Sequence, residues 1–218
     1  MAGLDVSEHH FIGDAVGYLP GEIAVLNRLE SLGAYCQQGN HEAMLLSKIS
    51  CDHENESQYK LNRARARLES TGWIEKIMGW PTLVSRTIAG KRFLLVHGSP
   101  TSPLYDYIYP DSDLSSLKDI PYDFVVMGNT HRPFVRKEGD IVFANLGSIG
   151  LPRDRGNLAS FGIYEIESQE FSIVRVPINV EEILRVYGSD IHEAVAACFQ
   201  RKAAEVFGKI VNEFGTRI

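Results

Sequence analysis

The pattern of apolar and polar positions changes rhythm midway along this chain. In the first part, residues 8–12 read as a short strand running into Gly13-Asp14. Pro20-Gly21 then opens a segment whose apolar positions, Ile23, Leu26, Leu29 and Leu32, recur at helical spacing, and Gly33 is placed to end it. Residues 34–38 read as a second strand, closed by Gly39-Asn40-His41. Strand, helix and strand in this order predict a parallel βαβ unit. Residues 42–79 read as mostly helical with a polar interruption at 52–57, and Arg63, Arg65 and Arg67 spread around a solvated helix surface.

The second part is a series of short strands. Residues 83–88 and 92–96 flank Ala89-Gly90-Lys91, residues 134–137 and 141–145 flank Glu138-Gly139-Asp140, and residues 161–166 and 171–176 flank residues 167–170. Each reads as a hairpin. Residues 123–127 form one more strand, ahead of Gly128. Hairpins after a βαβ unit predict an α/β fold of two mixed β-sheets packed face to face, with helices outside. The tail, residues 190–215, reads as an amphipathic helix with Ile191, Val195, Cys198, Phe199, Val206, Phe207, Ile210 and Phe214 on one stripe. That stripe would cover an open sheet face or meet a second copy in a homo-oligomer. No repeat, low-complexity stretch or flexible linker divides residues 1–218, so one domain is expected.

Composition narrows the function classes. The chain has 218 residues, 44% apolar and 23% charged, which is ordinary for a globular domain. A formal net charge of −6 argues against a nucleic-acid backbone or an anionic membrane surface as main partner. A phosphate-bearing substrate would need its countercharge from a bound cation. Cys36, Cys51 and Cys198 are odd in number and scattered, which suits reduced thiols. With no membrane-length apolar run and no basic, apolar leader, a cytoplasmic location is expected.

Four turns carry the candidate chemistry: Gly13-Asp14, Gly39-Asn40-His41-Glu42, His97-Gly98-Ser99-Pro100 and Gly128-Asn129-Thr130-His131. Singly, their polar residues read as caps and turn formers. Together they put a carboxylate, amide oxygens and imidazoles at the C-terminal ends of apolar strands, where α/β sheets bind ligands. That donor set suits divalent metal, and two such metals can clamp a phosphate. Tyr105, Tyr107 and Tyr109 alternate nearby; packing is the simpler reading and a substrate groove the other.

In these turns the chain resembles the calcineurin-like metallophosphoesterases, particularly their small bacterial phosphodiesterase type. The family pattern is Asp-x-His, Gly-Asp, Gly-Asn-His-Asp/Glu, His-Gly and Gly-His-Thr-His; all but the first appear here in order. Residues 145–154, Asn145-Leu146-Gly147-Ser148 through Pro152-Arg153-Asp154, add to the likeness. The resemblance implies divalent metals as cofactors, manganese first and iron, zinc or nickel as the other ions. It implies hydrolysis of a phosphomonoester or phosphodiester, in a small nucleotide or a phosphoprotein, by metal-activated hydroxide. By position Asp14 would bridge two metals, Asn40, His97 and Asn129 would hold one, and His131 would help hold the other. His41 would contact the phosphate and protonate the leaving oxygen, with Glu42 either orienting His41 or starting a helix. Outside what the resemblance implies, Arg153 and Arg155 read either as contacts to a substrate phosphate or as a surface turn.

Two departures qualify that expectation. Asn129 stands where the family has His, and no Asp-x-His precedes Asp14. A βαβ unit takes about 30 residues, so the fold is expected without its first strand, and one metal keeps only Asp14 and His131. An enzyme with coding sequence upstream of Met1 is one reading. A catalytically impaired protein of the same fold, serving as a metal- or ligand-binding regulatory module, is the other.

Overall fold

The computed structural model describes residues 6–47 and 53–211. Its central feature is a five-stranded mixed sheet built from β3 (Leu83–Ile88), β4 (Lys91–Val96), β5 (Phe124–Met127), β6 (Phe134–Glu138) and β7 (Ile141–Asn145). The order is β3-β4-β5-β7-β6, so the parallel trio β4-β5-β7 lies inside and two antiparallel hairpin strands form the edges. The trio is nearly all apolar, as expected of parallel strands covered on both faces. β8 (Leu158–Glu165), β9 (Glu170–Pro177) and β10 (Lys209–Ile210) form a second sheet, and β1 (His10–Phe11) pairs in parallel with β2 (Tyr35–Cys36).

Alternation sorts the trio's side chains onto two faces. Phe93, Leu95, Phe124 and Val126 pack with Ile12 and meet Tyr164 and Phe171 of the β8–β9 hairpin, which stacks the two sheets. The Phe93 and Phe124 rings lie 4.6 Å apart and nearly parallel, with Tyr164 edge-on to both. Leu94, Val96, Val125, Met127 and Phe143 face the other way, under Leu114 and Leu117.

The first helices behave as their spacing requires. α1 (Glu22–Ser31) buries Leu26, and Gly33, at φ 60°, turns the chain out of it. α2 (Asn40–Leu45), α3 (His53–Tyr59), α4 (Leu61–Leu68) and α5 (Trp73–Met78) follow, and Leu45, Leu61, Leu68, Trp73 and Ile77 close a core with Val16 and Leu26. The polar stretch expected to interrupt the helices is itself helical from His53, whereas Cys51 lies outside the described residues. Arg65 and Arg63 make partly exposed contacts, but Arg67 forms an ion pair with the buried Glu22 carboxylate.

The predicted tail helix is not formed as one element. α6 (Val180–Tyr187) and α7 (Glu193–Cys198) are separate, and Ile191, Val195, Cys198 and Phe199 are buried as their stripe requires. Beyond α7 the chain extends, and β10 pairs in parallel with β9. The reason is tertiary. Arg175, fully buried, donates to Asp154 and to the Phe207 carbonyl, and Gly156 N–H and Ala203 N–H bond across to Arg201 and Asp154. These pairings claim backbone groups that a helix would use, and Gly208 at φ 103° breaks helical geometry outright. The continuous stripe that would have met a second copy is therefore absent over the described residues; Phe214 lies outside them. No helix of the described chain is long and apolar enough to cross a membrane.

A candidate metal centre at the strand ends

Two turns meet backbone to backbone. Gly13, at φ 103°, has no room for a side chain, since a Cβ there would sit 2.4 Å from the Gly39 nitrogen. A Cβ on Gly39 would lie 2.2 Å from Asp14 Oδ1. Both glycines are thus dictated by the close approach of the loops after β1 and β2. Glu42 holds that approach together. Its buried carboxylate accepts the backbone N–H groups of Asp14 (2.8 Å), Ala15 (2.7 Å) and Gly39 (2.7 Å). It caps the start of α2, as a helix-start carboxylate does, and at the same time clamps both turns. Burial, and the charge of Asp14 beside it, push the Glu42 carboxyl up from its ordinary value.

Into this frame β4 delivers His97. Its Nε2 lies 3.2 Å from Asp14 Oδ2 and 3.1 Å from Asn40 Oδ1. The other Asp14 oxygen accepts His41 N–H at 3.1 Å, and His41 Nε2 stands 4.0 Å from Oδ2. Three imidazoles share one device: Nδ1 bonds a backbone carbonyl, Val16 for His41 (2.9 Å), Ile12 for His97 (2.8 Å) and Leu151 for His131 (2.7 Å). A carbonyl only accepts, so each Nδ1 carries hydrogen and each neutral ring offers its lone pair at Nε2. Second partners of this kind orient histidines for metal.

Charge follows from burial and neighbours. Burial alone would raise Asp14, but His97 and His41 hold its carboxyl far below the usual carboxylate range. Burial alone would depress His97, and the Asp14 carboxylate more than offsets it, so the imidazole titrates above its ordinary value. His41 is lowered by burial, with Asp14 opposing. His131 is pushed down to about 3 by burial and then by Arg153.

The opposite wall is the turn after β5 and the loop after β7. Asn129 (φ 62°) and His131 (φ 58°) are left-handed, as are Asp14 (φ 65°) and Tyr18 (φ 57°). Such backbone costs on the order of 1 kcal/mol per residue and gathers at functional sites. The Asn129 amide donates to the Asp106 carbonyl at 2.9 Å. Arg153 N–H donates to the His131 carbonyl, and its guanidinium donates to the Tyr18 hydroxyl at 2.7 Å. The Tyr18 ring lies 4.6 Å from His41, 5.1 Å from Tyr59 and 6.2 Å from His131.

The donors fit one cation better than two. Asp14 Oδ2 and Asn40 Oδ1 both face His97 Nε2, and a neutral imidazole would set three acceptors against one another. Either a proton or a cation resolves that contact, and mixed carboxylate, amide and imidazole donors suit a divalent ion. Among the described residues no three of His, Cys, Asp or Glu are grouped as a metal cage, so a third donor beside Asp14 and His97 would have to be an amide such as Asn40.

A model of the calcineurin-like phosphoesterase superfamily domain matches residues 11–169. The chain belongs to that superfamily. It is 25% identical, over 78% of its own length and 76% of the other's, to an uncharacterized protein of Methanocaldococcus jannaschii. The fold matches the crystal structure of a hypothetical protein from Pyrococcus horikoshii at a TM-score of 0.77, with 18% identity over 90% of this chain and 86% of that one. It also matches a metallophosphoesterase from Sphaerobacter thermophilus at 0.72, with 20% identity over 89% and 88%.

In this member of the superfamily the structure brings Asp14, Asn40, His41 and His97 within bonding or near-bonding distance, with His131, Asn129 and Arg153 on the facing wall. His9 is not part of the centre, and His10 stacks on Tyr35 and bonds Glu8. One Asp-x-His does occur, Asp190-Ile191-His192, but Asp190 pairs with Arg63 and His192 caps α7. Tyr18 had drawn no sequence reading. Only its place four residues after Asp14 hints at a role, and the contacts that define it come from four separate segments.

Proposed function

We propose that this chain is a metal-dependent phosphoesterase acting on a phosphomonoester or phosphodiester, in a small nucleotide or a phosphoprotein. The observation that carries it is the convergence of Asp14 Oδ2 and Asn40 Oδ1 on His97 Nε2 at 3.2 and 3.1 Å, at the strand ends of this superfamily's fold. Asp14, Asn40 and His97 would hold one divalent ion, with Asn129 as a further amide donor, and His131 with Asp14 would face a second. Manganese leads because oxygen donors outnumber nitrogen; iron, zinc and nickel are the other ions. When bound, the ion supplies positive charge against a phosphoryl oxygen and activates water.

The protein's own groups do the rest. Arg153, tethered to Tyr18, offers its charge to a substrate phosphate. His41 has Nδ1 tied to Val16 and Nε2 toward Asp14, so a proton it gives to a leaving oxygen leaves from Nε2. Burial keeps that ring neutral until the charge of a bound phosphate favours its protonation. A cytoplasmic location suits the free thiols Cys36 and Cys198.

The test is hydrolysis of bis-p-nitrophenyl phosphate with added manganese. Wild type is expected to exceed an Asp14→Ala control by at least ~100-fold, since the ion that Asp14 would hold supplies several kcal/mol of charge stabilisation. Equal rates would remove the catalytic reading. A regulatory, ligand-binding module is the second reading, favoured by Asn129 standing where the family has His and by a second ion left with only Asp14 and His131.

A further inference from the structure

The segment that carries Tyr105, Tyr107 and Tyr109 is not packed into the core. Their relative exposures are 57, 45 and 39%. Its backbone is nevertheless pinned to the centre from two sides. The Asp106 carbonyl accepts the Asn129 amide at 2.9 Å, and the Ile108 carbonyl accepts Asn145 Nδ2 at 3.5 Å. Asn145 also donates to the Gly128 carbonyl, so the same two asparagines hold the turn after β5 and the tyrosine segment in one unit. The Ser99 hydroxyl adds a bond to the Asp106 carboxylate. Tyr107, beside Asp106, therefore stands on a fixed rim held against the turn that carries Asn129.

On that rim the Tyr107 and Tyr109 rings are 15° from parallel, with centroids 6.4 Å apart, and the Arg132 guanidinium lies over Tyr109 at 5.9 Å. Exposed, near-parallel aromatic faces on a held backbone, flanked by a cation, are what a nucleobase stacks on. Arg153 belongs to the same wall as Asn129, through its N–H bond to the His131 carbonyl, and supplies a charge for a phosphate. We infer that Tyr107 and Tyr109 form a base-stacking subsite, so that the substrate is a nucleotide-bearing phosphoester whose base rests on this rim while its phosphate enters between Asp14 and Arg153. This names the substrate class of the proposed activity and rests on that reading.

The test separates the two. Binding of AMP and of ribose 5-phosphate to the manganese-loaded protein is measured by titration calorimetry, which needs no turnover. AMP is expected to bind about 10-fold tighter or more, the ordinary worth of one stacked base. In Tyr107→Ala/Tyr109→Ala that ratio falls toward one, and in Tyr107→Phe/Tyr109→Phe it persists, since the faces remain. Circular dichroism confirms that each variant is folded. Equal binding of the two probes to wild type overturns the inference, as does a ratio that the alanine variant leaves unchanged. A base-dependent ratio in a protein that hydrolyses neither phosphomonoesters nor phosphodiesters upholds the subsite and overturns the phosphoesterase reading. Dissociation of a wild-type dimer by the alanine variant, seen in sedimentation, would place a second copy on the rings and overturn the inference.

Discussion

The two walls of the centre are built on different principles. The Asp14–Asn40–His97 wall is made by backbone against backbone. Two glycines have no room for a Cβ, one buried carboxylate clamps three N–H groups, and the donor atoms stand within 3.2 Å of one imidazole nitrogen. The Asn129–His131–Arg153 wall is made by side chains reaching over loops, through Tyr18 and the Asp106 carbonyl. A site assembled from rigid backbone tolerates little change, whereas one assembled from side chains can be altered piece by piece. The first wall is thus where metal would be held, and the second where a substrate would be sorted.

Glycine substitutions should break the comparison most strongly. Gly39→Ala drives a Cβ to 2.2 Å from Asp14 Oδ1 and is expected to cost about 3 kcal/mol or more, with loss of bound metal. Gly150→Ala, in the loop of the second wall, meets nothing within 4 Å and should change stability by less than ~0.5 kcal/mol. Thermal melts of both decide the point, and equal losses would contradict the contrast. Ligand substitutions come next. His97→Ala should lower bound manganese at least ~10-fold by elemental analysis, and His131→Ala clearly less, since loss of one ligand from a set of three leaves little hold on the ion. Comparable losses would make the walls equivalent.

Glu42→Gln sharpens the first wall from within. The amide keeps one acceptor but turns donor hydrogens toward N–H groups, so at least one of the three goes unpaired, at about 1–3 kcal/mol. For a chain of this size that is roughly 2–12 °C in Tm. The smallest effect should come from Tyr18→Phe. The ring stays against His41 and Tyr59 while only the hydroxyl that accepts from Arg153 is lost, at about 1 kcal/mol or less. Its signature would be a raised KM with kcat nearly unchanged, because Arg153 loses its tether while the donors of the first wall stay in place.

How much of this was legible beforehand depends on the range of the interaction involved. α1, the three hairpins and the four polar turns follow from spacing and turn chemistry, which act over a few residues. The tail did not follow. Its apolar stripe is real at Ile191, Val195 and Cys198, but Arg175 and the edge of β9 outbid helix propensity beyond them. Glu42 looked like a helix-start carboxylate because its three partners, apart from Gly39, lie 27 and 28 residues away. The tyrosines read as packing because exposure is a property of the folded surface, not of an alternating pattern.

What the sequence determined by itself is the inventory: apolar strands that end in Gly-Asp, Gly-Asn-His, His-Gly and Asn-Thr-His, and hence the superfamily and the donor types. Only the tertiary structure decided how those donors are grouped. Two oxygens and one nitrogen share one corner, a tyrosine from a neighbouring turn joins two histidines to an arginine, and the tail ends in a strand. The physical reason is that side-chain chemistry and local spacing are written along the chain. The closeness of atoms dozens of residues apart is set by which buried polar groups must find partners once the sheets have packed.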